Sequence, residues 1–117
     1  MTCDLHIHSN FSDGTMTPAE LIVLAEKQNI SAVALCDHNT VNGLPDFIKA
    51  AENRKVIAVN GIEISTEYNG TDLHILGLFL PEEMIKAPRL IPWCFAISES
   101  ATGKCACPCI SFDSKGA

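Results

Sequence analysis

The sequence predicts an α/β chain built on a parallel sheet. Three observations predict it. Segments of strand and helix character alternate through the first sixty or so residues. The run from Ile30 to Cys36 is apolar except for Ser31, as suits a strand covered on both faces. Thr17-Pro18-Ala19-Glu20 carries the start signals of a connecting helix. Strand–helix–strand–helix–strand order implies right-handed crossovers between parallel strands.

The first strand is Cys3-Asp4-Leu5-His6-Ile7-His8, which alternates polar and apolar residues. Asp4, His6 and His8 share one face, and Leu5 and Ile7 the other. The two imidazoles stand about 7 Å apart along the strand, close enough to converge on one metal ion. Spacing alone fits equally an exposed strand with two incidental histidines. Asn10, Ser12, Asp13 and Gly14 read as a loop from which Asp13 can reach the same place. Thr17 then serves as N-cap, Pro18 as the first helical residue and Glu20 as the far side of a capping box. Leu21, Ile22, Leu24 and Ala25 form its apolar stripe, and the helix ends near Gln28-Asn29. Asp37-His38-Asn39-Thr40 stops the second strand abruptly. Pro45 opens a second helix, Asp46 to about Asn53, with Phe47, Ile48 and Ala51 inward. Val56 to Val59 is a third short strand.

Residues 61–80 follow as a hairpin after the third strand. Asn69-Gly70 between two strand-like runs is a two-residue turn signal. That turn sets Tyr68 opposite Thr71, and counting outward sets Glu63 opposite Leu76. Glu63 and His74 then become diagonal neighbours on one face, within about 8 Å. Ile62, Ile64, Leu73 and Ile75 look like the core face, which argues against a merely solvated Glu and His.

Composition narrows the function classes. The chain has 117 residues, 47% hydrophobic, and a formal net charge of −6, which suits one globular domain with a modest core. The acidic balance argues against an extended nucleic-acid surface. A phosphate substrate stays compatible with it if metal ions supply the positive charge. No apolar run approaches the roughly 20 residues of a membrane span, and no secretory signal opens the chain. Without such a signal the six cysteines read as reduced thiols of a cytoplasmic protein.

Four clusters of ligand-type residues therefore stand at or near strand ends: His6/His8/Asp13, Asp37/His38, Glu63 and His74. Sites of parallel α/β folds collect at the carboxyl ends of the strands. All four histidines of the chain belong to the set, which exceeds the needs of one structural zinc. It suits a binuclear or trinuclear hydrolytic centre.

Taken in order, "DLHIHSNFSDG", "CDHNT", "GIEIS" and "DLHILG" resemble the early motifs of the PHP (polymerase and histidinol phosphatase) family, from about Cys3 to Leu80. The resemblance implies the N-terminal portion of a distorted seven-stranded β/α barrel. It implies two or three divalent ions of manganese, zinc or iron, and hydrolysis of a phosphate ester. Its metal ligands match His6, His8, Asp13, His38, Glu63 and His74. Asp37 matches a position beside a ligand and is assigned to the catalytic machinery as an orienting group. "SDGTMTPAEL" and "DHNTVNG" look most like the subgroup acting on nucleotide phosphates and short oligonucleotides. The partner expected is thus a phosphorylated small molecule or nucleotide.

The family's later ligand motifs are missing, since no histidine follows His74. A β/α barrel typically needs about 250 residues. From about Ala87 the sequence loses clear periodicity, and it holds Cys94, Cys105, Cys107 and Cys109. We expect residues 1–86 to be the front of the barrel, and 87–117 to be an atypical Cys-rich tail, either foreign sequence or a lineage-specific ending. The chain reads as a metal-dependent phosphoesterase of the family, or alternatively as a truncated, non-catalytic fragment that at most binds metal.

Overall fold

The computed structural model describes residues 1–86. The expected tail, with Trp93 and its cysteines, lies outside the described residues. The elements are β1 (Cys3–Ile7), α1 (Pro18–Lys27), β2 (Ala32–Leu35), α2 (Leu44–Ala51), β3 (Ile57–Tyr68), β4 (Thr71–Leu78) and α3 (Glu82–Lys86). The strands form one sheet in the order β1-β2-β3-β4. β1, β2 and β3 run parallel, and β4 returns antiparallel to β3. The result is a mixed α/β half-barrel of four strands.

The sheet core is set by β2. Its residues alternate between two apolar clusters, as a strand covered on both faces requires. Val33 and Leu35 face the larger cluster, with Ile22 of α1, Leu44 and Phe47 of α2, Val41, Val56 and Ile62. Ala34 and Cys36 face a smaller one with Val59. Burial pushes the Cys36 thiol up to about 11, helped by the nearby charges of Glu63, Asp37 and Asp4, so it stays protonated at neutral pH.

Helix α1 starts as its sequence indicates. Thr17 Oγ1 accepts from the Glu20 amide at 3.3 Å, and the Glu20 carboxylate accepts from the Thr17 amide at 2.8 Å. The Thr17 amide, and then its hydroxyl, hold the Glu20 carboxyl below its ordinary 4.5. A lowered carboxyl pKa gives a stabilising contribution that is complete above that ordinary value and is lost as pH falls through the lowered one. Thr17→Ala is expected to lower stability by about 1 kcal/mol at neutral pH. In thermal melts the gap between wild type and variant should narrow below pH 4.5, where Glu20 takes up its proton.

Three expectations need correction. The third strand is not short: β3 runs unbroken from Ile57 to Tyr68, so the first arm of the hairpin is its continuation. The strand continues through Gly61, which allows close approach to its neighbour. A Cβ there would lie 2.5 Å from Cys36 Sγ and 2.8 Å from the Leu35 carbonyl. Second, α2 begins at Leu44 rather than Asp46, after Gly43 as an N-cap without a side-chain bond. Third, Leu73 is not a core residue, being 48% exposed. The helices pack on β2 and β3, leaving β1 at the rim and the hairpin tip beyond them. Among the described residues, no helix is long and apolar enough to cross a membrane.

Candidate metal centre

Each strand brings one part of the centre to the same end of the sheet. His6 lies within β1, and His8 follows its last residue. His38 follows β2 and forms a single parallel bridge with Glu63 of β3. β4 supplies His74, paired with Ser65, while Glu63 pairs with Leu76. The turn joining β3 and β4 has positive φ at both Asn69 (50°) and Gly70 (75°), as a two-residue hairpin turn demands. That register places Glu63 and His74 on one face.

Glu63 is the hub. Its Oε2 stands 2.8 Å from His6 Nε2, 3.2 Å from His8 Nε2 and 3.7 Å from His38 Nε2. Its Oε1 stands 2.9 Å from His74 Nδ1. The carboxylate is buried, with 8% of its side chain exposed, while His6 and His74 are half-exposed. Burial disfavours its ionised form and is the largest single influence. The hydrogen bond to His6, the charge of His38 and the bond to His74 together outweigh it and keep the carboxyl below 4.5. Glu63 is thus an anion at neutral pH, ringed by imidazoles.

Asp13 closes the other side. Its two oxygens lie 3.5 Å from His8 Nδ1 and 3.4 Å from His38 Nε2. The His8 and His38 rings stack at 4.6 Å, and His74 meets His38 edge-on at 5.3 Å. Among the described residues, three triads could hold a metal ion: His6/His8/Glu63, His8/Asp13/His38 and His38/Glu63/His74. Within each triad the donor atoms lie within 4.8 Å of one another.

The donor set fits divalent ions. Nitrogen and carboxylate oxygen are the ligands zinc, manganese and iron accept. The Nδ1 atoms of His8 and His38 are buried and lack a hydrogen-bond partner. A buried polar atom without a partner is costly in a plain structural role. His8 Nδ1 faces Asp13 across a gap too long for a good hydrogen bond.

Asp37, expected as an orienting group, lies beside the cluster and outside all three groups. Its carboxylate is buried and accepts from the Ser9 amide (2.7 Å), the Ser9 hydroxyl (2.6 Å) and the Ser12 hydroxyl (2.8 Å). It therefore positions the loop that carries Asp13 rather than an imidazole. Sequence reasoning missed Ser9 and Ser12 as its partners. The signal in the sequence is an Asp ending an apolar strand, whose buried carboxylate requires donors from a neighbouring loop.

Gly14 fits that loop tightly. A Cβ there would lie 2.4 Å from the His8 carbonyl oxygen and 2.8 Å from the Ser9 carbonyl carbon, both rigid backbone. Gly14→Ala is expected to cost about 1–3 kcal/mol, the usual range for overpacking, as read from urea denaturation.

Comparison with known proteins follows the same outline. The profile of the PHP domain matches residues 4–94. A 5'-3' exoribonuclease from Haemophilus influenzae is 43% identical over 75 residues, covering 64% of this chain and 27% of that protein. A 3',5'-nucleoside bisphosphate phosphatase from Chromobacterium violaceum is 40% identical over 75 residues, covering 64% and 26%. A crystal structure from Bifidobacterium adolescentis, assigned provisionally as a metal-dependent phosphoesterase, superposes with a TM-score of 0.68 at 28% identity. That superposition covers 82% of this chain and 34% of the other. The chain spans about a quarter of the length of these two curated relatives.

Proposed function

The chain belongs to the PHP domain family, and on that premise we propose that it is the N-terminal part of a metal-dependent phosphoesterase acting on a nucleotide or short oligonucleotide. The carrying observation is the convergence of four imidazoles and Asp13 around the buried Glu63 carboxylate. The phosphorylated substrates of the two relatives support the substrate class. In the whole protein the four strands would be the front of a seven-stranded barrel. Residues 1–86 would be the family part and 87–117 an atypical tail, although the family match itself reaches residue 94. Among the described residues Cys3 and Cys36 are free thiols, which supports the cytoplasm as its place of work.

His6, His8 and Glu63 would hold one ion; Asp13, His38 and His74 would contribute to the others. Divalent manganese, zinc or iron, when bound, supplies Lewis acidity for phosphoryl oxygens and lowers the pKa of a water. The residues themselves do the positioning. Glu63 divides its two oxygens between the His6/His8/His38 side and His74. Asp37 fixes the Ser9–Gly14 loop and so the reach of Asp13.

A second reading, a fragment that at most binds metal, is favoured by one observation: the chain spans about a quarter of the length of its two curated relatives. On that reading this polypeptide binds metal without turnover. The experiment loads the 117-residue chain with manganese or zinc and measures bound metal by plasma emission. It then assays p-nitrophenyl phosphate and a nucleoside bisphosphate, with His8→Ala as control. We expect uptake of metal and little turnover from this polypeptide, and turnover from a full-length relative of residues 1–86. Robust activity of the short chain that His8→Ala abolishes would remove the second reading. No metal uptake at all would remove both.

A further inference from the structure

The Asp37–Asn39 segment is tied to β3 at three points around the ligands. The Glu63 amide donates to the Asp37 carbonyl at 3.2 Å, and the Asn39 amide donates to the Glu63 carbonyl at 2.9 Å. These two bonds frame the isolated His38–Glu63 bridge. The third tie is a side chain: Asn39 Oδ1 accepts from the Ser65 amide at 2.9 Å. Asn39 has φ of 55°, in the left-handed region that asparagine tolerates better than most residues. The chain turns away from the sheet there, so the regular ladder with β3 ends. The side-chain amide replaces the backbone carbonyl that an ongoing strand would have offered Ser65.

We infer that Asn39 is a positioning residue that locks His38 and Glu63 into one register, although it is not itself among the ligands. Of the three ties, the Asn39 side-chain bond alone depends on residue type. A slip of one residue between two strands sends side chains to the opposite face. Here such a slip would separate His38 from Glu63, which are shared by two of the three triads. The inference rests on the metal-centre reading above.

The test titrates Co²⁺ into the full 117-residue chain and reads the dissociation constant and the visible absorption band of the bound ion. Asn39→Gly leaves the left-handed backbone unstrained and deletes only the side chain. Asn39→Asp retains an Oδ1 acceptor. Asn39→Gly is expected to weaken binding about 10–100-fold, the range for losing a partner that orients a ligand, and to shift the band. Asn39→Asp is expected to keep both near the wild-type values. Equal constants and spectra for wild type and Asn39→Gly would overturn the inference. Should Asn39→Gly fail to fold, hydrogen exchange on the wild type decides. Protection of the Ser65 amide should rise on Co²⁺ loading, and unchanged protection is the contrary result. A wild-type chain that takes up no Co²⁺ overturns the metal-centre reading itself, which separates the two failures.

Discussion

Glu63→Gln is expected to abolish high-affinity metal binding, with a loss beyond the roughly 10²-fold seen for outer partners of metal ligands. The side chain keeps its shape but loses its charge. No other residue belongs to the first and third triads at once, with one oxygen facing His6, His8 and His38 and the other facing His74. Replacing it therefore weakens two of the three triads together. His6→Ala, by contrast, touches only one of them, and should leave a measurable residual site. Calorimetric titration with zinc or manganese distinguishes these outcomes, and far-UV circular dichroism checks that the fold survives. Wild-type affinity in Glu63→Gln would show that the carboxylate is a structural counter-ion for the imidazoles rather than a ligand.

Phe47→Ala is expected to produce the largest loss of stability, about 3–5 kcal/mol. Phe47 is fully buried and is, among the described residues, the largest of the fully buried side chains. It packs from α2 into the cluster that also holds Ile22, Val33, Leu35 and Ile62, so its removal leaves a cavity between both helices and the sheet. Domain stabilities are commonly about 5–15 kcal/mol, so the loss would consume much of the margin of so small a core. Urea unfolding followed by circular dichroism measures it. A loss under about 1 kcal/mol would mean that α2 relaxes into the space, which the tight burial of Leu44 and Val41 beside it argues against.

The parts of the site that were legible in the sequence are those governed by short periods. Alternation put His6 and His8 on one face, and the Asn69-Gly70 turn fixed the register that brings Glu63 to His74. What was not legible depends on residues far apart in the chain. Asp37 finds its partners 28 and 25 positions earlier, at Ser9 and Ser12. The continuity of β3 through Gly61 depends on Cys36 and Leu35, whose atoms leave no room there for a Cβ. Leu73 alternates correctly for a core residue, yet it is 48% exposed on the hairpin beyond the helices. Periodicity shows which way a side chain points, and only the tertiary arrangement shows whether anything is there to meet it.

Among the described residues, spatial strand order repeats chain order, β1-β2-β3-β4. Each new strand thus docks on the one made just before it, and no pairing waits for a distant partner. The parallel pairings close loops of more than twenty residues and are slow to form, but chains fold from the amino end as they are synthesised. On a ribosome, the donors would assemble in the sequence His6 and His8, Asp13, His38, Glu63 and His74. These donors would be together once β4 has zipped back along β3. Capture of an ion at that moment would staple four strands that as yet bury little apolar surface, making the metal a chaperone of its own binding site.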